Sequence, residues 1–558
     1  MARRREELAV SRVGLYIIRL NFPVYVCAKK MPSLPGPASH FIYFFAVSNG
    51  LIYNTPGSPN SSLPSQLPKA HHEHAIFSPA SCQDTHAAMV SFKARRREPE
   101  LVPPARPTPR ETKALSDIDD QHALRYYETV IGFFRRCTDQ NGAVDGPDNP
   151  AQAVRAALAE ALVYYYPVAG RLREEAGGKL VVDCTAEGVA FVEADADVRL
   201  EDFGEPLLPP YPCVEELQCD AGDTRDIIGR PLLLMQLTRL KCGGFVAGFH
   251  MCHSIADGFG IIQLMMTVAE LACGAEAPSI LPVWQREILS TKHSPASITH
   301  PSPSYQPLLN SLDYESESDD VMLSTPLEEM VTDYFVFGPT EMKTLESHVR
   351  GHHLAHPATT FELLTAVMWR CRTIALGYKS GQPVRLMITM NARGRWNRHT
   401  LIPWGYYGNA HFSPIAELTV DELCRQPLVD TVELVRRTKL SVTKECMESM
   451  VETIASLRHR GLCADPARTY EVCDTKWIAA GNGLELGWAQ FVGGGIPVAG
   501  DLTSKLGSDH MMCKNQDGED ATVVSMLLPR PAMERFRKEL ALWLNKQHEK
   551  HLMIQSAL

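Results

Sequence analysis

The run Phe249-His250-Met251-Cys252-His253-Ser254-Ile255-Ala256-Asp257-Gly258-Phe259-Gly260, near the middle of the chain, limits the possible folds more than any other stretch. Upstream, Leu232 to Leu240 and Phe245 to Cys252 are apolar, β-prone runs separated by Lys241-Cys242-Gly243-Gly244, which reads as a hairpin. Downstream, Ile261, Ile262, Leu264, Met265, Val268 and Leu271 recur at helical spacing until Gly274. A buried strand, a short loop and a helix therefore follow one another, as in an α/β fold. His253 falls at the end of the strand and Asp257 at the start of the helix, where such folds place their chemistry. With 20 histidines, roughly one His-x-x-x-Asp spacing is expected by chance. This is the one instance in the sequence, so its strand–loop–helix context carries the weight.

Imidazole is the side chain best suited to taking up and returning a proton near neutral pH. No Gly-x-Ser-x-Gly elbow supplies a serine nucleophile for it. His253 is accordingly expected to act as a general base directly on a substrate group, against the alternative of a satisfied core histidine. Asp257 is either an orienting carboxylate or a helix cap for free backbone N–H groups, and the two roles can coexist.

A chain of 558 residues is long enough for two or more domains. Its formal charge of −10 argues against a nucleic-acid binder, which would carry a basic face. The 15 cysteines are scattered, odd in number and without a Cys-x-x-Cys pair, so reduced thiols and a cytoplasmic location are expected. No apolar run approaches the length that spans a bilayer, and no membrane partner is expected.

Along the chain, residues 1–88 stand apart. Their apolar pieces are interrupted by Arg19 and Asn21, and a Pro/Ser/Asn-rich tract containing His71-His72-Glu73-His74 follows, so a disordered extension without a metal site is expected. Residues 89–288 form a first domain. It contains a helical pattern around Leu124 to Phe134, an amphipathic helix over Ala151 to Tyr166, and strands at Leu180 to Asp183 and Gly188 to Glu193. A Ser/Pro/His-rich linker is expected over residues 289–325. Residues 326–558 resume with a strand near Tyr334 to Phe337. A helix follows, opened by the capping-box spacing of Thr359 and Glu362, and then a buried strand over Val384 to Met390. Helices over Glu433 to Leu457 and Met533 to Asn545 bracket a glycine-dense stretch, Gly481 to Gly500. There is no Walker loop or dinucleotide fingerprint, and Gly493-Gly494-Gly495 lacks the strand–helix setting of a phosphate cradle.

Several segments together resemble the plant BAHD acyl-CoA-dependent acyltransferases. His253-Ser254-Ile255-Ala256-Asp257-Gly258 matches the family's His-x-x-x-Asp-Gly, and Tyr165-Tyr166-Pro167-Val168-Ala169-Gly170-Arg171-Leu172 its helix-ending block. Asn391-Ala392-Arg393-Gly394-Arg395 and Tyr406-Tyr407-Gly408-Asn409 match its central blocks. Ser116 to Gln121, Pro282 to Glu287 and Thr359 to Glu362 are most similar to the benzyl-alcohol benzoyltransferases and related alcohol acyltransferases. The resemblance runs from about Met89 to Leu544. It implies an α/β protein of two chloramphenicol-acetyltransferase-like domains, each a mixed sheet with flanking helices, with the histidine in a channel between them. It also implies acyl-CoA as co-substrate, an alcohol as acceptor, no permanently bound cofactor and a monomeric enzyme. In that mechanism His253 takes the hydroxyl proton as oxygen attacks the thioester and returns it to the CoA sulfur, with no acyl-enzyme. Arg393 is implied as the partner of Asp257 and as a substrate-side residue.

One block departs from the family pattern. Its Asp-Phe-Gly-Trp-Gly falls here on Glu485-Leu486-Gly487-Trp488-Ala489. Gly487 and Trp488 are candidates for the substrate side, Trp488 by shaping the site or contacting the oxyanion, although a buried structural indole is the favoured reading of Trp488. Ala489 is expected to strain the turn wherever φ must be positive. That departure motivates a second reading, a catalytically impaired relative that binds a small molecule or a partner. A carrier-protein condensation domain shares the fold, but its first motif histidine is replaced here by Cys252.

Overall fold

The computed structural model describes residues 90–138, 146–292, 320–351, 356–394, 402–459, 466–476, 483–497 and 505–545. The expected N-terminal extension and most of the expected linker lie outside them.

In chain order the first half comprises β1 (Ala94–Arg96), β2 (Glu100–Val102), β3 (Thr112–Ala114), β4 (Tyr127–Arg136), α1 (Pro150–Tyr164), β5 (Arg171–Glu174), β6 (Leu180–Asp183), β7 (Val189–Ala196), β8 (Leu233–Leu240), β9 (Phe245–Cys252) and α2 (Gly258–Ala272). The second half comprises α3 (Val321–Ser324), β10 (Met330–Phe337), α4 (Pro339–Ser347), α5 (Thr360–Leu376), β11 (Pro383–Ile388), β12 (Met390–Asn391), β13 (His411–Phe412), β14 (Ile415–Thr419), α6 (Val420–Arg425), α7 (Leu428–Leu440) and α8 (Lys444–His459). It ends with β15 (Thr469–Asp474), β16 (Ala489–Gly495), β17 (Gly507–Lys514), β18 (Asp520–Pro529) and α9 (Arg530–Leu544).

Two mixed sheets organise these elements, as expected for the fold class. The first has the order β1-β7-β8-β9-β4-β16, with β2 also paired to β7; the second runs β10-β18-β17-β15-β11-β14. The expected hairpin is β8–β9, and every residue of β9 is buried, as befits a strand flanked by neighbours on both edges. The capping box read from sequence is realised, and α1 carries a cap that was not read. The Asn149 side chain accepts from the first N–H groups of α1, and Thr359 and Glu362 close a reciprocal capping box on α5.

Three sequence readings change. Leu124 to Phe134 is not an α-helix: Leu124 closes a short 3-10 turn and Tyr127 onward is β4, mostly buried between β9 and β16. A short, continuously apolar run has no period with which to distinguish the two states, and the β-branched and aromatic content of Tyr127-Glu128-Thr129-Val130-Ile131-Gly132-Phe133-Phe134 decides for strand. Glu433 to Leu457 is not one helix but parts of α7 and α8. Ser441 and Thr443 divide them, Ser441 donating back to the Thr438 carbonyl and Thr443 accepting from Cys446 N. Finally, the glycine-dense stretch contains β16. This strand of the second half pairs with β4 of the first, so the expected cut at residues 289–325 separates it from its own sheet. Gly494 permits the approach: a Cβ there would lie 2.1 Å from the Ile131 carbonyl.

Candidate active site around His253

His253 follows β9 directly, and its backbone is held at both polar atoms. Its N–H donates to the Tyr126 carbonyl at 2.8 Å, and its carbonyl accepts from Asn409 Nδ2 at 2.8 Å. The ring is fully buried, 5.1 Å from the Tyr126 ring and 6.2 Å from that of His411. Among the described residues neither ring nitrogen has a hydrogen-bond partner. His250, three residues earlier, is a satisfied interior histidine by contrast: Nδ1 meets the Thr129 hydroxyl at 2.8 Å and Nε2 the Cys219 carbonyl at 3.0 Å. Burial, and then the neighbouring His411, push the His253 imidazole down to about 3, with Asp257 and Asn409 opposing. The ring is therefore neutral at pH 7.

Asp257 takes the helix-cap role that its position suggested, and among the described residues it makes no hydrogen bond to the imidazole. It caps α2, with Oδ1 accepting from Gly260 N at 3.0 Å. It also forms a bidentate pair with Arg393, both N–O distances being 2.9 Å, and Oδ2 accepts from Ala410 N at 3.0 Å. Burial raises its carboxyl, but the Arg393 guanidinium and the donors around it prevail and hold it below the usual carboxylate range. The five N–H groups of Arg393 are engaged by Asp257, Asn391 Oδ1 and the carbonyls of Tyr406 and Gly408. None is directed at a substrate, so Arg393 stands one layer behind the imidazole rather than on the substrate side.

Around this pair the two halves interlock through buried charge. Asp119 Oδ1 accepts from both N and Nδ2 of Asn409 at 2.8 Å, and its Oδ2 accepts from the Ser116 hydroxyl at 2.6 Å. Arg286 lies 3.4 Å from Asp119 and stacks 4.2 Å from the Trp284 ring centre. Arg458 of α8 reaches Asp117 at 2.9 Å and Asp120 at 2.7 Å. Two glycines make this closeness possible. A Cβ on Gly260 would lie 1.9 Å from the Tyr407 carbonyl, and one on Gly408 would lie 1.0 Å from Arg286 Nη1.

Gly487 and Trp488 lie elsewhere. Ala489 pairs with Arg136 at one end of β4, whereas Tyr126, whose carbonyl holds His253, precedes the other end. Ten residues of strand separate them, roughly 30 Å at 3.3 Å per residue. Trp488 is buried against Phe245, with the Arg136 guanidinium 5.2 Å from its ring centre. It is a structural indole and contacts no oxyanion at His253. Gly487 carries the positive φ of that turn, +65°, while Ala489 has ordinary strand geometry, so the departure from the family block introduces no backbone strain.

Asp119, Arg286, Asn409, His411, Tyr126 and Glu128 belong to the site's surroundings but were not assigned roles from sequence. Asn409, Asp119 and Arg286 sit inside quoted blocks, so their presence was visible. His411 carries no spacing signal, because only the fold brings it to His253.

A family profile described as "Transferase family" matches residues 92–542. The chain is 62% identical over 487 residues to Acyl transferase 1 of Oryza sativa subsp. japonica, covering 84% of this chain and 100% of that one. It is 48% identical over 433 residues to Spermidine hydroxycinnamoyltransferase 1 of the same organism, covering 77% and 94%. Among solved structures, vinorine synthase superposes with a TM-score of 0.60 at 18% identity, over 81% of this chain and 99% of that one, a likeness of fold.

Proposed function

The chain belongs to the BAHD acyltransferase family, and from that membership we propose that His253 is the general base of an acyl transfer from acyl-CoA to a nucleophilic acceptor. The enzyme is an acyl-CoA-dependent acyltransferase whose acceptors are hydroxyl or amine compounds. The observation that carries the catalytic assignment is the imidazole itself: neutral, without a partner at either nitrogen among the described residues, and fixed by its backbone at both sides.

In the proposed reaction the acceptor's hydroxyl or amine attacks the thioester carbonyl while His253 removes its proton. The carbon–sulfur bond breaks and the proton passes to the departing sulfur, giving the ester or amide and free CoA thiol. Keeping the ring out of solvent favours its proton-free form and excludes water that would hydrolyse the thioester. Asp257 and Arg393 act as positioning residues. Their ion pair joins the start of α2 to the segment that carries Asn409, and Asn409 in turn holds the His253 carbonyl. The ordinary geometry of Ala489 supports catalytic competence rather than an impaired relative.

We further propose a first domain over residues 89–288 and a second over 326–558 that lends β16 to the first. Monomeric action in the cytoplasm is part of the same reading, its location supported by the absence of a disulfide among the described residues. Among the described residues no helix is long and apolar enough to cross a membrane. The test is to combine purified protein with benzoyl-, acetyl- and hydroxycinnamoyl-CoA and a panel of alcohols and amines, and to follow free thiol. Transfer that His253→Ala lowers by about 10²–10⁴-fold supports the assignment. Normal turnover by that variant discards it.

A further inference from the structure

A second buried imidazole stands beside His253, and the reaction as described gives it nothing to do. His411 opens β13, opposite Asn391 of β12 and two residues after Asn409. The Asp257–Arg393 pair holds the backbone and strand on either side of it. Ala410 N donates to Asp257 Oδ2 at 3.0 Å, and Asn391 Oδ1 accepts from Arg393 Nη1 at 3.1 Å. The His411 ring lies edge-on to that of His253, with centroids 6.2 Å apart and planes at 78°. The rings are too far apart to bond each other. They are close enough for both to reach the substituents of one carbon atom through hydrogen bonds of about 2.8 Å.

His411 is only 5% exposed, and its Nδ1 has no hydrogen-bond partner among the described residues. A nitrogen buried in this way costs free energy until something is bonded to it, so it marks a place where a reactant's polar atom is received. The other polar side chains around His253 are already engaged. The Tyr126 hydroxyl donates to Glu128 at 3.0 Å, and Asn409 Nδ2 donates both to Asp119 and to the His253 carbonyl. The donors of Arg393 are taken up by Asp257, Asn391 and two carbonyls. Burial, and then Arg393, push the His411 imidazole down against the opposing Asp257 and Asp119, which leaves the ring neutral at pH 7. A neutral imidazole with a free N–H, fixed in a water-excluded interior, is a preorganised donor for an oxygen that gains negative charge.

We propose that His411 is a second catalytic residue of this enzyme, its Nδ1–H donating to the thioester carbonyl oxygen while His253 takes the acceptor's proton. The inference rests on the acyl-transfer reading above and adds the group that supports the developing oxyanion. As the acceptor's oxygen or nitrogen bonds to the carbonyl carbon, the carbonyl π pair moves onto oxygen, where His411 stabilises it without giving up its own proton. The pair then returns, the carbon–sulfur bond breaks, and the proton held by His253 goes to sulfur. The products are the ester or amide and the CoA thiol, and both imidazoles end as they began. Neutrality of His411 also matters to its neighbour, because a charge there opposes the proton that His253 must take up.

The experiment compares the full-length wild type with His411→Phe, which keeps a buried ring but no nitrogen, and with His411→Asn, whose amide nitrogen takes roughly the place of Nδ1. Benzoyl- and hydroxycinnamoyl-CoA are assayed with the alcohol or amine that wild type turns over fastest, by thiol release and product mass. His411→Phe should lower kcat by about 10²–10³-fold, with KM for donor and acceptor within about threefold of wild type. His411→Asn should recover at least about tenfold of that loss. His411→Leu carries the same comparison where His411→Phe does not accumulate as folded protein. Unchanged kcat in His411→Phe, a loss confined to KM, or equal losses in His411→Phe and His411→Asn overturns the inference and leaves His253 as the base. Full turnover by His253→Ala overturns the base assignment separately, and no thiol release by wild type overturns both.

Discussion

Replacing Asp257 by asparagine separates positioning from chemistry at this site. Asp257 is fully buried, and its two oxygens receive four donors: two from Arg393 and one each from Gly260 N and Ala410 N. Asparagine is nearly isosteric and still caps α2 through one oxygen, but its amide nitrogen faces two of those donors and removes the charge opposite Arg393. Breaking a buried ion pair in this way costs about 3–5 kcal/mol, because the remaining guanidinium stays desolvated without its counter-charge. With an unfolding entropy of about 2.1 cal/mol/K per residue, that loss lowers the apparent Tm of a unit this size by roughly 3–6 °C. The comparison is His253→Ala, which removes a side chain without a hydrogen-bond partner among the described residues and is expected to shift the melting point little while removing about 10²–10⁴-fold of kcat. Differential scanning fluorimetry and thiol-release kinetics well below the melting transition read both effects. The activity left in Asp257→Asn should keep the wild-type pH dependence, because the titrating group is elsewhere. An Asp257→Asn protein that melts like wild type yet loses as much activity as His253→Ala would refute the positioning argument.

Three further outcomes follow from the same geometry. Gly260→Ala places a Cβ 1.9 Å from the Tyr407 carbonyl, so a destabilisation above about 4 kcal/mol and loss of soluble protein are expected; normal yield and melting would contradict the packing described. Ala489→Gly, which restores the family residue, should lower the melting temperature slightly, since glycine in a strand costs about 0.5–1 kcal/mol, without raising kcat. A several-fold gain in turnover would show that Ala489 is strained after all. The His253 imidazole is held at about 3 in the folded protein, against about 6.5 when unfolded. Its contribution is therefore complete above about pH 6.5 and is lost as the pH falls toward 3, amounting to no more than about 5 kcal/mol in total. Melting curves between pH 7 and 5 should fall more steeply for wild type than for His253→Gln; equal slopes would mean that the ring is not desolvated.

The elements that set the site were legible in sequence because their signals are local. The β8–β9 hairpin follows from apolar runs around Lys241 to Gly244, the helix after Gly258 from its spacing, and the α5 cap from Thr359 and Glu362. Those elements placed His253 at a strand end and Asp257 at a helix start before any coordinates. The pairing of Asp257 with Arg393, 136 residues apart, came only from the family resemblance, since nothing in the residues between them encodes it. β4 was misread because a continuously buried strand shows no alternation. Trp488 was read first as a structural indole with a site role as the other candidate, because a motif gives no distance; strand register puts it at the far end of β4.

Chain order alone determines that a neutral imidazole can stand at the end of a buried strand, since strand, turn and helix propensities act over a few residues. Tertiary structure decides what that imidazole faces. Only folding carries β16 across to β4, sets Asn409 against the His253 carbonyl, and pairs Asp257 with Arg393. The reason is physical: burial and the fields of distant charges depend on separation in space, and residues hundreds of positions apart leave no periodicity by which to announce it.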